Sequence, residues 1–376
     1  HVLTFLPNTS LTGESERARS LADADLLLGT STIDVGVDFK INFLVFEAAD
    51  AGNFIQRFGR LGRHQGFASY QAYALIPNYL VARLFHAIDG KPARLNSEEE
   101  YDRVFFTNSI RESWSSVNQF EDYPKRWGAV QSVCMHLEIR RLKEKYPEAV
   151  DGFAKDVEEA FQVNLKHQYA NVQRCINAKQ NKIIDEARSF RGSSQLDCAI
   201  YDATNSDEPE RDKFKTYHLP GLLSNFVFEL MDPEDFKAQA QRAGLPQNQF
   251  EESLCYLKLL DYRDVRENWH FYHSGDVGDL ARLSKVQILR GLEVTVGANA
   301  ISQALCRRGI VCYISDRSRE ELRVKLGLPM QFQAYGLSNH PDDRAPPYTI
   351  AFGKSALMLE TLTWRWKPKE DMGWIC

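Results

Sequence analysis

Two glycine-rich stretches, GTSTIDVGVDF (residues 29–39) and QRFGRLGRH (residues 56–64), decide how this chain of 376 residues is interpreted. The second stretch alternates cations with glycines on one short element: Arg57, Gly59, Arg60, Gly62 and Arg63. Three guanidinium groups this close together repel one another unless an anion is bound among them. Arginine suits phosphate, because its planar donors match two oxygens at a time. The stretch therefore predicts a phosphate-binding element.

Apolar runs around the two stretches predict strands of a parallel sheet. INFLVFEA (residues 41–48) lies between them and has the composition of a buried parallel strand. A strand-like run at residues 2–6 comes earlier, and GFASYQAYALIPNYL (residues 66–80) is expected to close the sheet. Upstream of the first stretch, LTGESERARS (residues 11–20) supplies one more arginine, Arg17.

In this order and at this spacing, the pieces resemble the superfamily-two helicases. LTGESERARS resembles the segment that precedes motif V, GTSTIDVGVDF resembles motif V, and QRFGRLGRH resembles motif VI. Within the superfamily, the nearest likeness is to the CRISPR-associated helicase of type I interference. Its subtype I-D, where the helicase is separate from the nuclease, is the nearest branch. The resemblance rests on residues 11–76.

The resemblance implies a fold class and a division of the chain. The expected fold is an α/β RecA-like domain, namely part of the second helicase domain, followed by a helical region and an α+β C-terminal accessory domain. The expected boundaries are residues 1–80 for the RecA-like domain with motifs V and VI, 81–192 for the helical linker region, and 193–376 for the accessory domain.

Motif VI, by the same resemblance, supplies the catalytic side chains. Phosphoryl transfer needs positive charge on the transferring group more than covalent help. Arg63 and Arg60 are therefore the candidate arginine fingers, and Gln56 would orient that element or the phosphate end of the nucleotide. Arg57 is assigned to nucleotide binding.

Motif V and the segment before it supply the remaining contacts that the resemblance implies. Asp38 matches a carboxylate that lies near the ribose and the attacking water, and Gly36 lets the backbone pass close to the nucleotide. Thr30 and Ser31 match positions that hold a nucleic-acid phosphate, and Arg17 is a further candidate for a phosphate contact.

The chain contains no P-loop and no Asp-Glu-x-x box for magnesium. A P-loop needs a lysine after its glycines, and the glycine-rich runs LPGLLS (residues 219–224) and VGANA (residues 296–300) lack one. We therefore expect this chain to be the C-terminal part of a longer helicase, with ATP and Mg²⁺ held mainly by the N-terminal half. The chain by itself is not expected to hydrolyse ATP.

The expected function is that of an ATP-dependent DNA helicase or translocase in type I CRISPR interference. It would be recruited to an RNA-guided effector complex, unwind or reel in single-stranded DNA, and deliver it to a nuclease on a separate subunit or domain.

Two alternatives to this function remain open. One is another superfamily-two enzyme, either an RNA helicase or a DNA-repair translocase. The other is a RecA-like scaffold without turnover, against which the intact Arg60 and Arg63 argue.

Composition limits the partners. A net charge of −5 argues against indiscriminate binding of polyanions but allows a local basic groove. No apolar run approaches the roughly 18 residues that span a bilayer, and no signal-peptide pattern opens the chain. We expect a cytoplasmic protein without a membrane partner. Seven scattered cysteines without a C-x-x-C pair predict reduced thiols.

No metal site and no nuclease site are expected. His270 and His273 lie three residues apart in a strand-like run, so their side chains would point to opposite faces. A nuclease of this type needs paired carboxylates with histidines, and the chain contains no His-Asp doublet. TWRWKPK (residues 363–369) could stack on bases or form a tail anchored by its tryptophans.

The rest of the chain predicts helices followed by short strands. Acidic residues at 96–100 offer a helix start, and helices are expected over about 128–146 and about 147–190, the second with a break allowed. Residues 124–192 hold 13 lysines and arginines against nine acidic residues, so this region lines a single-strand channel or forms a solvated face.

The polar segment 203–213 is expected to form an exposed loop or a disordered linker. Strands are expected at 196–202, 224–230, 269–274, 286–296, 309–315 and 348–353, and a helix at 232–244.

Overall fold

The structure is a computed structural model that describes residues 5–8, 12, 18–19, 23, 25–29, 40–48, 50–87, 90, 92–114, 122–177, 181–188, 195–297, 299–328 and 332–364. The chain divides into two compact units, His1–Val117 with Gly327–Gln331 and Asn118–Leu326 with Phe332–Cys376. The helices between residues 80 and 192 are distributed over the two units, and the expected domain boundaries at those residues stay predictions.

The first unit contains two pairs of parallel strands. β1 (Phe5–Asn8) pairs with β2 (Leu26–Gly29), and β3 (Phe43–Glu47) pairs with β4 (Gln71–Leu75). The prediction that residues 41–48 contain a parallel strand is confirmed. Within the described residues the four strands form two separate sheets and not one continuous sheet.

Within the part of the chain that the structure describes, one face of the β3–β4 pair is covered and the other is open. Phe46 is buried, whereas Phe43 and Val45 on the alternate positions of the same strand are 51% and 53% exposed. The side chains of a strand alternate between its two faces, so this pattern marks one packed face and one open face. The prediction that this strand is buried is therefore correct for one face and wrong for the other.

Three helices form the packed side of the first unit. They are α1 (Ala51–Phe58), α2 (Asn78–Phe85) and α3 (Arg103–Ser113). The core that they share is made of Phe46, Ala48, Phe54, Leu80, Leu84, Leu95, Ile110 and Trp114. The helix start expected at residues 96–100 lies further along the chain, because the Asp102 carboxylate accepts from the amides of Val104 and Phe105 and so caps α3.

The second unit begins with a bundle of short helices. A π-helical turn (Pro124–Gly128) leads into α4 (Ala129–Ile139) and a 3₁₀ turn (Arg140–Leu142), and then follow α5 (Pro147–Phe161), α6 (Leu165–Asn177) and α7 (Asn181–Arg188). The expected helix over 147–190 is thus three helices. Gln162 ends the first of them in the left-handed conformation, with φ of 54°.

The basic residues expected either to line a channel or to face solvent lie on the surface of this bundle. Arg140, Arg141, Lys143 and Lys145 are all exposed. The ammonium group of Lys143 lies 2.6 Å from the Asp151 carboxylate. Exposure fits a solvated face, and the channel alternative stays a prediction.

A four-stranded sheet follows the helices. Its strands are β5 (Asp197–Asp202), β6 (Phe214–His218), β7 (Phe226–Leu230) and β8 (Tyr256–Tyr262), in the order β6-β5-β8-β7. The chain also forms α8 (Leu219–Asn225) and α9 (Pro233–Arg242) here. β6 and β8 were not expected from the sequence. The polar segment 203–213 connects β5 to β6 and ends in a 3₁₀ turn (Glu210–Lys213), so it is an ordered connection and not a linker.

A six-stranded sheet completes the second unit. Its strands are β9 (Phe271–His273), β10 (Gln287–Leu289), β11 (Leu292–Val294), β12 (Ile310–Ser315), β13 (Ala334–Ser338) and β14 (Tyr348–Phe352), in the order β10-β12-β14-β13-β9-β11. Its helices are α10 (Val277–Arg282), α11 (Asn299–Arg307), α12 (Arg319–Leu326) and α13 (Gly353–Thr363). The strand expected at 286–296 is two strands, separated at Gly291 with φ of +77°. β13 is a further strand that was not expected.

A buried ion pair joins the helical bundle to α13. Nε and Nη2 of Arg126 donate to the two carboxylate oxygens of Glu360 at 2.8 and 2.7 Å, and both side chains are at least 95% buried. The guanidinium carbon also lies 3.8 Å from the centroid of the Trp364 ring. Buried charges are tolerated only when their hydrogen bonds are satisfied. The pair therefore fixes the position of α13 against the bundle within this unit.

We expect Arg126→Met to lower the free energy of unfolding by about 3–5 kcal/mol, because it leaves the Glu360 carboxylate buried without its partner. Urea unfolding followed by tryptophan fluorescence would measure the loss. The matched control is Arg282→Met, since Arg282 pairs with Asp279 in an exposed ion pair and should lose less than about 1 kcal/mol. Equal losses in the two variants would contradict the role given to the buried pair.

His218 is a second buried polar group, at the end of β6. Burial lowers its pKa from 6.5 to about 4, and its ring lies 6.5 Å from that of Tyr335. A histidine whose folded pKa is depressed stays neutral in the folded state, while the unfolded chain takes up a proton below its ordinary pKa. Stability is therefore full above the ordinary pKa and falls as the pH drops from there toward about 4.

We expect acidification from about pH 7.5 to about pH 5 to cost wild type about 2 kcal/mol more than His218→Phe, which has no imidazole to protonate. Urea titrations of both proteins at the two pH values would measure the difference. An acid-induced loss of the same size in both proteins would contradict this assignment.

Candidate nucleotide and nucleic-acid site

α1 and the turn after it carry the predicted arginine element. The Asp50 carboxylate accepts from the amide of Asn53 at 2.7 Å and so starts the helix directly after β3. Past α1, the chain continues in tight turns: the amides of Arg60 and Leu61 donate to the carbonyls of Arg57 and Phe58. These bonds hold the element as one ordered piece, and its role in phosphate binding stays a prediction.

Arg57 reaches back to the end of the sheet. Its Nη1 donates to the carbonyl oxygen of Glu47, the last residue of β3, at 2.6 Å. Ligands of open α/β sheets bind outside the carboxyl ends of the strands. Arg57 therefore lies where a phosphate-binding side chain is expected, and the exposed Gln56 precedes it on α1.

Arg60 and Arg63 lie on the turn after α1 (residues 59–63), which we call the arginine turn. Arg63 is exposed, and its Nε donates to the carbonyl oxygen of Gly59 at 2.8 Å. Among the described residues, no carboxylate forms an ion pair with Arg63. Arg60 is half-buried. A guanidinium held by a neutral carbonyl keeps its charge available for an anion, which suits an arginine finger.

Gly62 gives the turn its shape. Its φ is +75°, in the left-handed region that side chains other than glycine rarely adopt. No atom lies within 4 Å of the place where a Cβ would be added. The need for glycine here is therefore a matter of backbone conformation and not of space.

Arg103 is a nearby cation that sequence reasoning missed. A Cβ on Gly59 would lie 3.1 Å from Nη2 of Arg103, so this guanidinium lies against the arginine turn. Arg103 is the first residue of α3 and is far from motif VI in sequence. No spacing rule links the two, and only the packing of α3 on α1 brings them together.

The other predicted site residues lie outside the described residues. They are Arg17, Thr30, Ser31, Gly36 and Asp38. Of the predicted site, the structure thus brings together Gln56, Arg57, Arg60 and Arg63, and the assignments within motif V stay predictions.

The remaining candidates from the sequence have structural partners. Nδ1 of His273 accepts from the amide of Gly275 at 3.0 Å, and its Nε2 lies 3.0 Å from the carbonyl of Arg290. Within the described ranges, no three histidine, cysteine, aspartate or glutamate side chains are grouped so as to hold a metal ion. Of TWRWKPK, only Thr363 and Trp364 are described, and Trp364 packs on the Arg126 guanidinium.

Five of the cysteines are described, all as free thiols: Cys134, Cys198, Cys255, Cys306 and Cys312. Burial raises the pKa of Cys312 to about 12 and also raises that of Cys134. The Sγ atom of Cys198 on β5 lies 3.3 Å from that of Cys255, the residue just before β8. Buried thiols with raised pKa values are unreactive, so Cys134 and Cys312 serve as core residues.

Comparison with known proteins connects the arginine turn to one family. Residues 8–66 match the family model described as CRISPR-associated nuclease/helicase Cas3, C-terminal. The matched stretch ends just beyond Arg63 and includes both GTSTIDVGVDF and the arginine turn. This match supports the C-terminal part of a CRISPR-type helicase, while subtype I-D stays a prediction. No curated protein matches the chain, and no solved structure matches it.

Of the helices in the described part of the chain, none combines the length and the hydrophobicity that a bilayer crossing requires.

We expect Gly62→Ala to cost about 1–2 kcal/mol of folding free energy, because alanine is strained at a φ of +75°. Gly62→Asn is the matched control at the same position and should cost less, since asparagine enters the left-handed region more readily. Urea unfolding of the three proteins would give the order wild type, Asn, Ala. Equal stability of Gly62→Ala and wild type would show that the turn does not need this conformation.

Proposed function

We propose that this chain is the C-terminal part of an ATP-dependent DNA helicase or translocase of type I CRISPR interference. The observation that carries the proposal is the arginine turn after α1. Arg63 is exposed and ordered there, and its Nε donates to a carbonyl oxygen, with no carboxylate partner among the described residues. The family match over residues 8–66 supports the same assignment.

The residues of the turn would act on a nucleotide held between two RecA-like domains. Bound ATP supplies the phosphoryl group whose transfer drives the motor. Arg63 and Arg60 would place their guanidinium groups on the phosphate oxygens and stabilise the charge that develops there. Arg57 would hold a phosphate at the carboxyl end of β3, with Gln56 orienting this element. The donor set fits a polyphosphate, because each guanidinium offers two parallel donors to two oxygens.

Motif V would complete the site. Asp38 and Gly36 are proposed to lie beside the nucleotide, and Thr30, Ser31 and Arg17 to hold the phosphates of single-stranded DNA. Mg²⁺ and most of the triphosphate contacts are proposed to belong to the P-loop half of the motor. An RNA-guided effector complex and a separate nuclease subunit or domain are the proposed partners.

The experiment is ATP hydrolysis by the complete motor, in which a P-loop domain accompanies this chain. We expect single-stranded DNA, and not RNA, to stimulate turnover, and Arg63→Ala to lower it by about 10³-fold or more. Arg282→Ala is the control, because this exposed arginine belongs to the second unit and should leave turnover unchanged.

Each arm of this experiment tests one alternative. Stimulation by RNA instead of DNA would favour an RNA helicase. Turnover that Arg63→Ala leaves unchanged would overturn the placement of the finger. A protein that binds its partners without any turnover would be a RecA-like scaffold.

A further inference from the structure

A cleft beside the arginine turn has no role in the proposed function. It has a volume of about 350 Å³ and is lined by Phe58, Leu61, Tyr101, Arg103 and Phe106. The rings of Phe58 and Phe106 are 5.2 Å apart and belong to the packing between α1 and α3. Three aromatic residues and one guanidinium thus surround a space large enough for a small planar group.

Tyr101 is held rigidly at the rim of this cleft. Its hydroxyl donates to the Glu99 carboxylate at 2.7 Å and accepts from the amide of Asn96 at 2.7 Å. Its ring stacks on Phe105 with centroids 5.2 Å apart and planes within 12° of parallel. Desolvation and the neighbouring Glu99 raise the pKa of Tyr101, so the hydroxyl keeps its proton at neutral pH. An aromatic ring fixed in advance loses little entropy when a ligand stacks on it.

Arg103 gives the cleft its charge. Its side chain is exposed and, among the described residues, takes part in no hydrogen bond or ion pair. It stands on the first turn of α3, where the amide ends of the helix add positive potential. An anion at this position would therefore find donors that the protein itself does not use.

The ligand must match both features. An apolar ring alone would leave the guanidinium without a partner, and a phosphate alone would not use the aromatic walls. A nucleotide of a single strand supplies both a flat base and a phosphate. The neighbouring Arg60 and Arg63 favour a polyanionic ligand over an aromatic side chain of a protein.

We propose that this cleft binds one unstacked base of a single DNA strand, with the base on Tyr101 and its phosphate on Arg103. The inference rests on the proposed function, because the strand is taken to be the one on which the motor acts. Tyr101 and Arg103 would then contact nucleic acid outside the motif V positions.

The test compares two strands on the purified full chain at one fixed salt concentration. One probe is a fluorescein-labelled oligothymidylate, and the other is a strand of equal length made of abasic sites. Tyr101→Ala should weaken binding of the oligothymidylate by about 5- to 100-fold and change binding of the abasic strand by less than about twofold. Arg103→Gln should weaken both strands alike, by roughly 2- to 10-fold, because it removes a phosphate contact.

Control variants separate stacking from folding. Tyr101→Phe keeps the ring and should keep the discrimination between the two strands. Tyr79→Ala removes another tyrosine of the same unit, one that packs under Arg83 outside the cleft, and should change neither affinity. Arg103 is exposed, so Arg103→Gln folds even if Tyr101→Ala does not.

Two outcomes would overturn the inference. One is equal weakening of both strands by Tyr101→Ala, and the other is unchanged binding in Arg103→Gln. Neither of these two binding measurements depends on ATP hydrolysis. A cleft that discriminates the strands while Arg63→Ala leaves turnover intact would therefore sustain this inference and reject the arginine finger.

Discussion

The packing of the Phe54 ring is the contact on which the candidate site depends. Phe54 is 4% exposed and lies on α1, three residues before Arg57, the first arginine of the element. Its ring lies 5.2 Å from that of Phe46 on β3, and 6.0 and 6.1 Å from those of Phe106 and Trp114 on and beside α3. Since aromatic contacts of this kind fix both distance and orientation, Phe54 sets the position of α1 between sheet and helix. The position of α1 in turn determines where the arginine turn lies, and where the cleft between the turn and α3 lies.

The sequence predicted the parallel strand within residues 41–48, because a run of apolar residues is a local signal. The helices α1 and α2 were not predicted, although Gly62 has the positive φ that suits a glycine in a tight turn. The start of α3 depends on the single carboxylate of Asp102. The acidic residues at 96–100 gave a similar signal, so the predicted helix start lay too early in the chain. Tyr101 and Arg103 gave no signal at all. They reach the arginine turn through the packing of α3 on α1, and such contacts between distant positions leave no periodicity in the chain.

The second unit shows why its strands were harder to predict. β6 contains Lys215, whose ammonium group lies 3.0 Å from Asp202 and 2.7 Å from Glu208, both buried. A strand with a lysine paired to buried carboxylates lacks the apolar pattern by which strands are recognised. Glu208 belongs to a segment whose polar composition favoured a loop. Arg126 and Glu360 lie 234 residues apart in the sequence, so composition alone could not reveal that they pair.

Arg126 and Lys215 differ from Arg63 and Arg103 in how their charge is used. Arg126 is buried, Lys215 is 10% exposed, and both pair with carboxylates within the fold. Arg63 is bonded to a carbonyl, and Arg103 uses none of its donors among the described residues, so their charge is left for a ligand. An unpaired guanidinium on a rigid turn adds little to stability, and its repulsion from neighbouring arginines opposes folding. Such an arrangement is stabilised when an anion binds, because each phosphate oxygen brought to the turn relieves that repulsion. We therefore expect a bound polyanion to stabilise the first unit, which would suit the proposed nucleotide-driven motor.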